Sequence, residues 1–234
     1  MGEHTVSSFD QDLESIDQLI RDMGQLSGSM LSGSTQALLT SDTALAQRVI
    51  SDDTVMDAKQ RELDDRSITL IAKRQPMAQD LRSVVGAIRM AADLERIGDL
   101  AKNIAKRVGA VGDTAAPKAL SHSIDDMAGM VLHQVTSVVH DYVQRNAQEL
   151  VQLRADDEKV DVKYTAVFRE LLTYMMEDPR NITACTHLLF CAKNLERIGD
   201  HVTNIAENAY YVITGSQLPP FRPKLDETAM AVAD

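Results

Sequence analysis

Tryptophan is absent, Tyr and Phe together make up only 4% of the chain, and six prolines are spread over 234 residues. A β-sandwich or barrel needs strand formers and frequent turns, so this scarcity argues against both. No run of 18 or more apolar residues occurs, which argues against a membrane-spanning helix. The first residues (Gly2, Glu3 and His4, then Ser7, Ser8 and Asp10) lack the basic and apolar regions of a secretory signal, so a cytoplasmic location is expected. There are two cysteines, Cys185 and Cys191. On a helix they lie about 120° apart and do not face each other. No Cys/His cluster has zinc-finger spacing, so both read as core residues of a reduced protein. Cationic residues are also few, with 24 Lys and Arg against 35 Asp and Glu and a net charge of −11. No basic stripe is present, so no nucleic-acid partner is expected.

What the chain does have is a repeat. Residues 94–99 read Leu-Glu-Arg-Ile-Gly-Asp, and residues 195–200 read the same, an offset of 101. Asn103-Ile104-Ala105 follows the first copy and Asn204-Ile205-Ala206 the second. Upstream, Asp53 to Asp57 aligns with Asp157 to Asp161 at an offset of 104. The first half therefore holds three extra residues between its two blocks, expected at the turns around Pro76 or Pro179. Leu94, Ile97, Ala101, Ile104 and Val108 step by three and four, as do Leu195, Ile198, Val202, Ile205 and Ala209. That spacing is the seam of helices packed in a bundle.

Breakers divide the chain into six helices, expected at 8–40, 43–74, 78–109, 117–146, 148–177 and 180–213. Asp42 and Asp178-Pro179 have the chemistry of helix starts. The expected domains are a first three-helix repeat over 8–110 and a second over 117–214, joined by a linker from Gly109 to Pro117. The prolines after Gly215 stop the last helix and leave 215–234 as a mobile tail. In the first helix Gly24, Gly28 and Gly33 each cost about 1 kcal/mol relative to Ala, so packing has to hold it.

The repeats carry the candidate chemistry. Glu95, Asp99 and Asn103 stand at i, i+4 and i+8, forming one stripe on the third helix, and Glu196, Asp200 and Asn204 repeat it. The stripe lies nearly opposite the apolar seam, so it faces outward or toward another element. Asp53 and Asp57 share a face of the second helix, as Asp157 and Asp161 do on the fifth. Like charges four apart destabilise a helix by a few tenths of a kcal/mol, roughly. Brought together, these carboxylates and amide oxygens form a hard-ligand set suited to divalent cations such as Mg²⁺, Mn²⁺ or Fe²⁺. The candidate metal ligands are thus Glu95, Asp99, Glu196, Asp200, Asp57, Asp161, Asp53, Asp157, Asn103 and Asn204.

Arg96 and Arg197 could neutralise a neighbouring carboxylate or contact phosphate, but read rather as helix-surface salt bridges. No Glu-x-x-His occurs, so the ferritin-type di-iron motif is absent. Zinc-protease, nucleophile-elbow and P-loop motifs are absent too. His133 and His140, on an apolar helix, are expected to be partly buried and not ligands. Tyr174, Met175 and Met176 look like core or interface packing.

The two Leu-Glu-Arg-Ile-Gly-Asp blocks with their Asn-Ile-Ala continuations resemble the PhoU family of bacterial phosphate-uptake regulators. So do Arg74-Gln75-Pro76-Met77-Ala78, Asp80-Leu81-Arg82 and the run from Phe168 to Arg180. The resemblance covers residues 8 to 215, although the fourth helix (Ser121 to Arg145) carries no family motif. It implies an all-α fold of two tandem three-helix bundles with pseudo-twofold symmetry, and a homodimer. It implies multinuclear metal sites (Fe, Zn, Mn or Mg) on the bundle surfaces at Glu95, Asp99, Glu196 and Asp200, with Asp57 and Asp161 beside them. It also implies negative regulation of the phosphate regulon and of phosphate import. The partners it implies are the sensor histidine kinase PhoR and the phosphate ABC transporter ATPase PstB, met at the membrane only peripherally.

The reading that follows is an adaptor without catalysis. Its rivals are a metal-dependent phosphohydrolase, since paired cations on carboxylates activate water, and a metal-buffering helical protein. The first lacks an evident general base, and the second lacks Glu-x-x-His.

Overall fold

The computed structural model describes residues 2–112 and 118–218. Seven helices account for nearly all of them: α1 (Gly2–Thr40), α2 (Thr43–Arg74), α3 (Gln79–Ala105), the short α4 (Val108–Gly112), α5 (Lys118–Val143), α6 (Ala147–Glu177) and α7 (Ile182–Thr214). A single 3-10 turn, Pro179–Asn181, precedes α7, and no strand occurs among the described residues. No helix there is long and apolar enough to cross a membrane.

Helix α1 packs on α2 and α3, and those two pack on each other; α5, α6 and α7 repeat the arrangement. The chain is thus two three-helix bundles, joined where α1 meets α5 and α3 meets α7. Helices α3 and α7 run antiparallel: Gly86 meets Val212, Asp93 meets His201, and Arg107 meets His187. Both expected seams are buried throughout, from Leu94 to Val108 and from Leu195 to Ala209. They belong to one continuous core that spans both bundles. Cys185 and Cys191 are buried in that region and unpaired.

The helix ends follow local chemistry. Asp42 accepts a hydrogen bond from the Leu45 N–H at 2.9 Å and starts α2. Asp178 accepts one from the Arg180 N–H at 2.9 Å and starts the 3-10 turn. Gly215 (φ 74°) closes α7 in the left-handed conformation that glycine adopts without strain.

Four expectations change. The linker after Gly109 begins inside α4, and Val108 and Val111 are buried there, because an apolar turn of helix covers the end of the core. Its residues 113–117 lie outside the described part, as does the tail from 219 on. Both proline turns are four residues long, 75–78 and 178–181, so the three-residue difference between the halves is taken up within helices. His133 and His140 are exposed, because Val131, Val135 and Val138 turn the other side of α5 to the core. Met176 is 79% exposed, while Tyr174 and Met175 pack against the core.

The repeat runs further than its motifs. Ser41 (φ 54°) and Arg145 (φ 56°) hold the same left-handed position 104 residues apart, each just before a helix start. Lys59 pairs with Asp22 at 3.0 Å, and Lys163 pairs with Asp126 at 3.1 Å, again at an offset of 104. The α1–α2 hairpin is therefore built twice, the second time as α5–α6.

Candidate functional site

Two acidic faces result, one between α2 and α3 and one between α6 and α7. In the first, the α3 turn from Glu95 to Lys102 lies against Asp53 and Asp57 of α2. The Lys102 ammonium stands between two carboxylates, 2.7 Å from Asp53 Oδ2 and 2.6 Å from Asp99 Oδ1. Arg96, on the outer side, donates to Asp99 Oδ2 at 3.2 Å and lies 3.6 Å from Glu95 Oε2. It is the surface pair that the sequence suggested. Burial pushes the Glu95 carboxyl above its ordinary value, with Asp99, Asp57 and Asp53 adding to the rise and Arg96 opposing it. Glu95 thus feels all three aspartates of this face. Hydrogen bonds to Asp53 and Asp99 hold the Lys102 ammonium in its charged form to higher pH, against the cost of its burial.

The second face is deeper. Glu196, Asp157 and Asp161 are all buried. Lys193, one turn before Glu196, lies 2.9 Å from its Oε2 and 5.0 Å over the Tyr164 ring. Burial raises the Glu196 carboxyl, Lys193 lowers it, and Asp200 and Asp161 raise it further. Gly199 makes the depth possible, since a Cβ there would stand 2.6 Å from Asp157 Oδ1. In the first bundle the equivalent Gly98 is approached by Met56 and Met30 instead. At the position of Met30, α5 carries Gln134, whose side-chain oxygen is buried without a hydrogen bond.

Eight of the ten candidate residues thus stand on the two faces. The two asparagines do not join them. Asn103 is exposed. Asn204 turns toward the other bundle and donates to Asp93 Oδ1 at 3.4 Å, beside His201, whose Nδ1 lies 2.9 Å from the same oxygen. Sequence reasoning missed the two ammonium groups. Lys102 is three residues after Asp99 and Lys193 three before Glu196, a spacing at which helical side chains meet.

The donors are hard oxygens, the class that divalent cations take. Among the described residues no three His, Cys, Asp or Glu side chains stand close enough together to hold an ion. The donor set fits a divalent cation in chemistry. In arrangement it is set around ammonium, so a metal would have to displace Lys102 or Lys193.

Comparison with known proteins gives the same answer throughout the chain. The family model described as "PhoU domain" matches twice, over residues 20–108 and 124–209. A phosphate-specific transport system accessory protein PhoU homolog of Rhizobium meliloti is 53% identical over 97% of this chain and 95% of its own. The homolog of Caulobacter vibrioides is 45% identical over 97% and 98%. Among solved structures, PhoU from Pseudomonas aeruginosa superposes with a TM-score of 0.85 at 32% identity, covering 89% of this chain and all of that one. The phosphate transport system regulatory protein PhoU from Streptococcus pneumoniae gives 0.82 at 27%, covering 90% and 99%. With its motif built twice and its relatives matched nearly end to end, the chain belongs to the PhoU family.

Proposed function

We propose that this chain is a non-catalytic, cytoplasmic negative regulator of phosphate uptake and of phosphate-starvation genes. It acts as a homodimeric adaptor between the phosphate ABC transporter, through its ATPase PstB, and the sensor kinase PhoR. The names of its relatives, accessory proteins of phosphate-specific transport, support the phosphate system as its setting. The observation that carries the adaptor reading is the acidic face made twice from the same turn of helix, off the core seam. Burial is the main cause that raises the Glu95 and Glu196 carboxyls, and neighbouring carboxylates add to both rises, so packing alone does not account for the gathering of these acids. The half-buried Glu95, Asp99 and Asp200 would offer a partner negative charge or, with a cation bound, open coordination positions.

A divalent cation (Mg²⁺, Mn²⁺, Fe or Zn²⁺) on the first face would be held by Glu95 and Asp99 with Asp57 and Asp53. On the second it would be held by Glu196 and Asp200 with Asp161 and Asp157. Each would take the place of an ammonium. Replacing Glu95, Asp99, Glu196 and Asp200 together with Gln or Asn tests the reading. Helicity is expected to stay intact by circular dichroism while phosphate-starvation genes are expressed in rich phosphate; normal repression by this variant overturns it. Elemental mass spectrometry of the untagged protein, purified without chelator, tests the metal separately. Two or more equivalents, lost in the variant, are expected, and a metal-free protein that still represses removes the metal and leaves the regulator.

A further inference from the structure

The pseudo-twofold symmetry of α3 and α7 is also broken where the two helices meet. The 101-residue offset relates Arg89 to Phe190 and Arg107 to Asn208. On one side of the helix pair Arg107 lies 4.2 Å over the Phe190 ring and donates to His187 Nδ1 at 3.1 Å. On the other side the corresponding space is an open groove of about 580 Å³, lined by Arg89, Asp93, Asn204, Glu207, Asn208 and Tyr211. That volume is in the range of small-molecule sites, roughly 300–1,000 Å³.

The groove's two carboxylates each meet a partner. Asp93 receives His201 and Asn204, and Glu207 lies 3.6 Å from Arg154 Nη1. Its lining arginine does not. Arg89 makes no ion pair or hydrogen bond among the described residues. Arg82, just outside the lining, borders the groove through Tyr211, with its guanidinium 6.0 Å from that ring and a buried Nε without a hydrogen bond. In a chain of net charge −11, seven other arginines stand within 4 Å of a carboxylate. Arg82 and Arg89 are seven residues apart, on one face of α3 and about 10 Å apart along its axis. Guanidinium forks match phosphoryl oxygens two at a time. A pair spaced this way suits an anionic chain or a phosphate joined to a larger body, and Tyr211 offers a ring beside it.

We propose that the α3/α7 groove binds a phosphorylated metabolite of nucleotide size, with Arg89 and Arg82 on its phosphoryl oxygens. The site is separate from the acidic faces and from the adaptor reading, and each can fail alone. ATP serves as the probe, titrated calorimetrically into the full-length protein with chelator present, so that no cation bridges it to the acidic faces. Saturable binding is expected, weakened about tenfold or more in Arg89→Gln and again in Arg82→Gln. Arg180→Gln, at an exposed turn outside the groove, should bind as the parent does, and inorganic phosphate should compete. Three results overturn the proposal: no saturation up to about 5 mM, a range where binding is already weak; equal binding by parent and Arg89→Gln; or citrate at matched ionic strength binding as well as ATP.

Discussion

Glu196 shows how the faces are held. Its side chain is buried, and that burial raises its carboxyl, with Lys193 opposing and Asp200 and Asp161 reinforcing. A carboxyl raised on folding binds its proton more tightly in the native state than in the unfolded chain. Its ionised form therefore costs stability above the folded pKa, and the cost disappears as pH falls toward the ordinary value of 4.5. Glu196→Gln removes the charge and keeps the shape. In chelator this variant should melt above the parent at neutral pH, with the difference closing as pH is lowered to 4.5. In a chain of this size each 1 kcal/mol moves Tm by about 2–4 °C. Thermal melts followed by circular dichroism decide it. A variant that melts below the parent at neutral pH would mean that the Lys193 contact outweighs the burial of the charge.

At the scale of the helix, the glycines of α1 separate two causes that the sequence alone leaves mixed. A Cβ on Gly24 would stand 2.5 Å from Val139 of α5, while one on Gly28 would have only ordinary contacts at 3.8 Å. Val139 is β-branched and has few rotamers in which to withdraw. Gly24→Ala should therefore destabilise by about 1–3 kcal/mol through overpacking between the bundles. Gly28→Ala should gain up to about 1 kcal/mol of helix propensity. Urea titration of the two variants reads both signs, and similar effects would show that helix approach does not discriminate between the sites.

The long helices were legible in the breakers between them, and the seams of α3 and α7 in the three-and-four spacing of their apolar residues, because a bundle buries a regular stripe. The kinship of α2 with α6 was legible in the Asp53–Asp57 and Asp157–Asp161 blocks, but that of α1 with α5 was not. It rests on ion pairs and turn dihedrals, Asp22 with Lys59 and Ser41 with Arg145, that leave no run of identical residues. The acidic stripes were legible as charge at helical spacing. Their ammonium partners went unread, since Lys102 and Lys193 follow no shared position in the repeat. The asparagines were assigned by stripe alone, and the approach of the second bundle takes Asn204 away to Asp93.

For the whole molecule the question is whether two bundles with one ancestral pattern fold as two units or one. Their junction has the character of an interior. Gly86 admits Val212 so closely that a Cβ would stand 2.1 Å away, and Gly24 does the same for Val139. Tyr142, fully buried near the end of α5, donates its hydroxyl to Asp17 of α1, which Arg145 also approaches at 3.7 Å. Burial together with the Asp17 charge pushes that phenol far above its usual range, so it stays protonated and remains a donor. A separated bundle would expose one flank of α1 and α3 and leave Asp17 without its buried partner. Hydrogen bonds to charged groups contribute about 1.5–3 kcal/mol each. Urea unfolding of the parent should accordingly be one transition, coincident by helicity and by tyrosine fluorescence. Tyr142→Phe should shift that single midpoint downward without splitting it. Two transitions in the parent, or a variant that loses only half of its helicity at the first step, would show that the repeat survives as two independent folding units.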